Sequence, residues 1–259
     1  MSKLIDKLKQ LSGAKPEPMG FRRARAAPPE PRLLLIASVA GTDISNLADY
    51  VAGADGGLIR LSGSSSGAKA IEEISQTIAD IPWGVWLKGG GQRETEGVEK
   101  TTCDFVVFPA ANTSLAIFQG DEVGKILEVE PSLSEGLLRA VDELPIDAVF
   151  IGEEEAGKNF LTWYHLMLFQ RFAALAGKPL LVLVPSNVTD GELQTLWETG
   201  VDGIVVMVEL EKPPGRIKKL RQVIDKLTFP PKRKVVKTGA LLPYLGGEEE
   251  EVVSGEEEE

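Results

Sequence analysis

Eight short apolar runs punctuate the chain: "RLLLIAS", "ADGGLIRLSG", "PWGVWLKG", "CDFVVFPA", "GKILEVEPS", "IDAVFIGEE", "KPLLVLVPS" and "VDGIVVMVE". Their hydrophobic cores are continuous rather than alternating, as in strands covered on both faces of a parallel sheet, and helix-length segments separate them. Every second run is introduced by an aspartate, Asp55, Asp104, Asp147 or Asp202, at intervals of about 50 residues, so one pair of βα units recurs four times. Four such pairs predict an α/β fold, a (β/α)8 TIM barrel spanning residues 33–228.

The segments between the strands carry helix signals. Asp43 and Asp190 stand where they can cap N-termini, and Gly177 and Gly200 fall where helices stop. The helix after the sixth strand, "LTWYHLMLFQRFAALAG", is rich in aromatics, and Trp163, Tyr164, Phe169 and Phe172 cannot share one narrow stripe. It packs on the barrel and is also the place for a homo-oligomer contact. Ahead of the barrel, residues 1–32 divide into an amphipathic helix and a proline-rich basic linker. Leu4, Ile5, Leu8 and Leu11 form the apolar face of that helix, which either lids the bottom of the barrel or anchors to a partner or membrane surface. Residues 229–259 form a basic extension and an acidic tail.

At 259 residues the chain has room for one barrel or two smaller domains, and the fourfold repeat decides for one. The net charge of −11 is concentrated at the end: eight glutamates occupy positions 248–251 and 256–259. Such a tail predicts a disordered, solubilising segment and argues against a nucleic-acid surface. The longest apolar run is strand-sized, so membrane insertion is not expected. With charges throughout the first residues and a single cysteine, Cys103, a cytoplasmic location is the default.

Candidate chemistry follows from strand alternation. The outer face of a barrel strand must be apolar to pack on helices, so charged residues mark the inner face. In the second strand Leu58, Arg60 and Ser62 look inward; in the third, Gly84, Trp86 and Lys88; in the fifth, Glu128 and Glu130, about 6 to 7 Å apart along the strand. Barrel enzymes work at the C-terminal ends of their strands, where Arg60, Lys88, Glu130 and Ser186 fall. A lysine and a carboxylate converging in a partly dry cavity suit proton transfer at a carbonyl or enamine, because burial lowers the ammonium pKa and raises the carboxylate's. This makes Lys88, Glu128 and Glu130 the catalytic candidates, and Arg60, Ser62 and Ser186 the substrate-binding ones. The same pair could instead be a structural ion bridge filling the top of the barrel. Glu153, Glu154 and Glu155 after the sixth strand read as a solvated loop, His165 as a helix residue near the active face, and Cys103 as core filler. "LSGSSSGAKA" is rich in small residues but lacks the Lys-Ser/Thr ending of a phosphate loop. No cofactor and no metal enters this reading.

These residues resemble the ribulose-phosphate-binding barrel superfamily. "TGVDGIVV" is similar to its usual start of strand eight, "GVWLKGGG" to the lysine-bearing third strand of indole-3-glycerol-phosphate synthases, and "ILEVEPSLSE" to their glutamate-bearing fifth strand. The resemblance implies a general-acid role for Lys88 and a base or proton-shuttle role for Glu128. It departs at strand one, where "IASVAGTD" lacks the family's lysine and glutamate. It departs again after strands seven and eight, where "PSNVTDGEL" and "MVELEKPPG" lack the phosphate-binding Gly-Ser turn, and an inward Glu209 would repel a phosphate. Two functions are therefore expected as alternatives: a lyase or isomerase acting on a small polar organic substrate, or a catalytically inactive barrel used as an assembly or regulatory module.

Overall fold

The computed structural model describes residues 2–12, 33–40, 47–61, 73–89, 103–115, 122–152 and 160–229. The predicted strands are all present: β1 Leu34–Ala40, β2 Gly56–Leu61, β3 Trp83–Leu87, β4 Phe105–Pro109, β5 Gly124–Glu128, β6 Ala148–Ile151, β7 Leu180–Val184 and β8 Gly203–Val208. Each pairs in parallel with its neighbour in sequence, and β8 closes on β1 through Leu34 opposite Gly203 and Val39 opposite Val208. This is the expected TIM barrel. Among the described helices are α1 Lys3–Ser12, α2 Leu47–Val51, α3 Glu135–Ala140, α4 Trp163–Leu175, α5 Asp190–Thr199 and α6 Arg216–Lys226. None of the described helices is long and apolar enough to cross a membrane. The proline-rich linker, Asp43, Ser62, Glu153 with its two glutamate neighbours, and the acidic tail lie outside the described residues.

Strand alternation sorts the core into two layers. Leu34, Ile36, Leu58, Trp86, Phe105, Ile126, Phe150, Leu181 and Val205 fill the barrel. Their sequence neighbours Leu35, Ala37, Ile59, Val85, Leu127, Val182 and Ile204 face the helices, where Leu168, Phe172, Leu196 and Ile217 meet them.

The recurring aspartates explain how the strands are held in register. The backbone N–H of each donates to a carbonyl of the preceding odd strand: Asp55 to Leu35 (2.8 Å), Asp104 to Trp83 (2.8 Å), Asp147 to Lys125 (2.8 Å) and Asp202 to Leu180 (2.9 Å). In three of the four, the carboxylate also accepts the N–H of that same residue, from Leu35 (2.9 Å), Lys125 (3.0 Å) and Leu180 (2.8 Å). A two-point clamp of this kind fixes the starts of the strands and satisfies backbone donors that would otherwise be orphaned.

Asp104 is the exception, because its carboxylate is turned to α1. It accepts hydrogen bonds from Ser2 Oγ (2.7 Å) and from the backbone N–H groups of Lys3 (2.7 Å) and Leu4 (3.0 Å), which caps the helix N-terminus with a negative charge. Held there, α1 buries Leu4, Ile5 and Leu8 against the interior of the barrel at the N-terminal ends of the strands. Lys7 Nζ donates to the Asp55 carbonyl (3.1 Å) and Lys9 pairs with Asp147 (2.9 Å). Of the two readings open for this amphipathic face, the barrel-bottom lid is the one adopted.

Two details differ from the sequence reading. The N-cap of α5 is Thr189, one residue before the expected Asp190, in a reciprocal capping box with Glu192; Gly200 ends that helix in the left-handed conformation (φ 106°). Phe229, assigned by sequence to the C-terminal extension, packs on Trp197 with ring centroids 5.1 Å apart and belongs to the core.

Candidate functional site

α1 closes the bottom of the barrel, so polar side chains that point inward collect at the opposite mouth. β3 delivers two of the residues concerned. Trp86 faces the axis and is fully buried, its ring edge-on to Phe150 of β6 at 5.0 Å. Lys88, two residues on and just past the strand end, is exposed, and its Nζ stands 5.2 Å from the centre of the Trp86 ring. Arg60 of β2, half-buried, places its guanidinium carbon 5.8 Å from the same ring. The electron-rich face of an indole attracts cations, so one tryptophan gathers both charges at the mouth.

The indole edge has a different partner. Trp86 Nε1–H donates to Glu128 Oε2 at 2.7 Å, across from β3 to the last residue of β5. Glu128 is half-buried, and burial raises its pKa above the ordinary glutamate value; the Trp86 hydrogen bond and the nearby Lys88 charge pull the other way without cancelling that effect. Room for the carboxylate comes from Gly152, just after β6. A Cβ at that position would lie 2.5 Å from Glu128 Oε1 and 2.7 Å from the Trp86 ring. Among the described residues no carboxylate forms an ion pair with Lys88 or Arg60, so the closed Lys88–Glu128 bridge considered from the sequence is not formed. Ser38 of β1, also on the inner face and fully buried, has a hydroxyl with no hydrogen-bond partner among the described residues.

The structure therefore brings Lys88, Glu128 and Arg60 together around Trp86. It places two other candidates elsewhere. Glu130 stands beyond the end of β5, exposed, where Ser132 Oγ donates to its Oε2 at 3.3 Å. Ser186, after β7, lines a separate cavity of about 50 Å³ with Tyr50, Met207, Lys212 and Arg216. There the Arg216 guanidinium donates to the Ser186 and Val188 carbonyls. Glu209 does not face that cavity as a bare charge; it is exposed and paired with Lys212 at 2.8 Å. Ser62 lies outside the described residues. His165 has a local role at the start of α4: its Nδ1 accepts the Thr162 N–H (2.9 Å), while Thr162 Oγ1 accepts the His165 N–H (3.3 Å). Cys103 is buried before β4, and burial pushes its thiol up to about 11, which keeps it protonated.

Sequence reasoning put Trp86 on the inner face without assigning it a task, and it passed over Gly152. The available signals were the spacing of Trp86 two residues before Lys88, hence on the same face, and the glycine that ends the apolar run of β6.

No protein-family model matches the chain, and no curated protein matches it in sequence. Solved structures do match. A thiamine phosphate pyrophosphorylase from Pyrococcus furiosus shares 13% identity over 74% of this chain and 96% of its own, with a TM-score of 0.54. A tryptophan synthase alpha-subunit from Pyrococcus furiosus shares 12%, covering 75% and 97%, at 0.55. A 3-keto-L-gulonate-6-phosphate decarboxylase from Vibrio cholerae shares 15%, covering 76% and 99%, at 0.55. The chain has their fold. Identities this low make the likeness one of architecture, with any chemistry left to this chain's own side chains.

Proposed function

We propose that this protein is a cytoplasmic barrel enzyme of the lyase or isomerase kind, acting on a small anionic organic substrate at the mouth formed by Arg60, Trp86, Lys88 and Glu128. The observation that carries this reading is Glu128: a half-buried carboxylate with a raised pKa, oriented by an indole N–H and facing the open end of the barrel. A carboxyl group whose proton affinity is lifted toward working pH is a competent general base. Glu128 would remove a proton from the carbon next to a substrate carbonyl. Lys88 would deliver a proton to, or balance the charge on, the carbonyl oxygen as the enediol forms.

Arg60 and Lys88 supply two cations that form no ion pair among the described residues, and Ser38 adds an unsatisfied hydroxyl beneath them. That combination favours an anionic, oxygen-rich ligand. The names of two of the structural neighbours contain phosphate compounds. In this chain the segment after β8 carries the Glu209–Lys212 pair and two prolines, so Arg60 and Lys88 are the proposed anion grip. Glu130 and Ser186 would act from the rim.

The test is a thermal-shift screen of small carboxylates and phosphorylated sugars against the wild type, Lys88→Ala and Glu128→Gln. A cognate ligand at 100 times its Kd adds roughly 2.7 kcal/mol, a rise of about 5 to 10 °C in Tm for a barrel of this size. Lys88→Ala is expected to lose that rise. Glu128→Gln should keep binding but lose turnover of the ligand. A broad panel with no compound that separates wild type from Lys88→Ala would favour the non-catalytic assembly module.

A further inference from the structure

The helix α4 departs from the pattern that α6 follows. On α6 the solvent-facing positions are Arg216, Lys218, Lys219, Gln222, Asp225 and Lys226. On α4, Leu168, Phe169 and Phe172 are buried against the barrel as usual, yet the outward face of its first two turns is apolar too, up to the exposed Gln170. Trp163 is 81% exposed and Met167 70%, with Tyr164 and Phe160 each at 58%. A helix that is hydrophobic all round belongs in an interior, with cover on both sides. The barrel covers only one.

We infer that the Phe160, Trp163, Tyr164 and Met167 face is the contact between two copies of this chain related by a twofold axis. The inference is independent of whether the barrel is catalytic.

Size supports it. Large side chains expose about 150 to 250 Å² each when bare, so these four leave roughly 500 Å² uncovered. That is in the upper half of what single chains usually show as their largest patch, about 300 to 600 Å². It is also close to the apolar share, about 65%, of the roughly 800 Å² per partner that a stable homodimer buries. Leu137 of α3, the helix that packs beside α4, is also 57% exposed.

Charge supports it more specifically. A twofold interface lays a patch against its own image, so any net charge meets its like. The stretch from position 160 to 170 contains no lysine, arginine, aspartate or glutamate, and the charge that follows it on the helix, Arg171, is half-buried, donating to the Leu133 carbonyl and lying over the Phe172 ring. A heterologous partner chosen through charge would need opposite charges on this face, which it does not offer. Tryptophan, tyrosine, phenylalanine and methionine are also the residues enriched at the centres of such contacts.

Sedimentation velocity from 1 to 100 µM tests the inference. The wild type should run at twice the 27.9 kDa chain mass. The Trp163→Glu, Met167→Glu double variant sets like charges against each other across the axis and should run as a monomer, with an unchanged far-UV circular dichroism spectrum because both side chains are exposed. Trp163→Ala, which adds no charge, should weaken dimerisation by at least about tenfold. Lys218→Glu on α6 should leave the dimer intact. A wild type that is monomeric at 100 µM overturns the proposal. So does a dimer that survives the double substitution, or an open ladder of larger species, which a closed twofold contact cannot produce.

Discussion

Glu128 shows how a side chain proposed for chemistry can cost stability. Burial disfavours its charged form, so its pKa in the folded chain exceeds that in the unfolded chain. Below the unfolded-state value both states hold the proton and there is no penalty. As pH rises through the folded-state value, the folded protein must ionise a buried group that the unfolded chain ionises freely, and stability falls. Glu128→Gln keeps the shape and an oxygen for the Trp86 indole N–H, while removing the charge. It should therefore raise Tm at pH 7 to 8, by roughly 2 to 4 °C for each kcal/mol of relieved penalty, and the gain should vanish near pH 3 to 4. Scanning calorimetry of both proteins across that range measures it; a constant difference at all pH values would show that burial of the charge is not the cause. Lys88, Arg60 and Glu128 were legible in the sequence because charge inside an apolar strand can only face the lumen or the rim. Glu130 was expected beside Glu128, but alternation holds only while the strand lasts. Pro131 has no N–H to continue the ladder, and the chain leaves the barrel first. Trp86 and Gly152 could not be assigned roles from sequence, since alternation gives the face of a residue and not which distant strand it meets.

Among the elements, the fourfold aspartate was readable as a repeat but not as a device. Its pattern announced eight strands; the clamp on Leu35, Lys125 and Leu180 depends on where the carboxylate turns, which spacing does not encode. Asp104 makes the point, since the same sequence position serves a helix instead of a strand. Replacing it with alanine removes three acceptor contacts from the first turn of α1, and loss of an N-cap costs about 0.5 to 2 kcal/mol. Faster amide hydrogen exchange at Lys3 and Leu4 is expected in Asp104→Ala, with protection restored at one of the two but not both in Asp104→Asn, whose single amide oxygen can replace Oδ1 toward Lys3 or Oδ2 toward Leu4. Unchanged exchange would mean that burial of Leu4 and Leu8, rather than the cap, sets the helix. Thr189 in place of Asp190 is the same kind of lesson: both residues can cap, and the capping box with Glu192 three positions on selects the threonine.

For the whole molecule, the question is whether α1 is a detachable cover or part of the barrel. The sequence set residues 1–32 apart from the barrel, because a basic amphipathic helix followed by prolines has the composition of an appendage. Burial argues for one cooperative unit: Leu4 and Leu8 have no exposed surface and share their cluster with Leu34, Leu58, Phe105 and Ile126 from four strands. Leu8→Ala then removes packing from the centre of the fold, at about 2 to 5 kcal/mol for a buried leucine, and should lower Tm by roughly 5 to 15 °C. In urea, far-UV circular dichroism and tryptophan fluorescence should shift together to a lower midpoint, as two-state unfolding requires. If α1 were a lid that opens on its own, the same substitution would deepen only local opening. Fluorescence of the barrel would then keep the wild-type midpoint, while exchange accelerated in α1 alone. The four strands that meet Leu4 and Leu8 favour the first outcome, because freeing the helix would leave the floor of the barrel open to water.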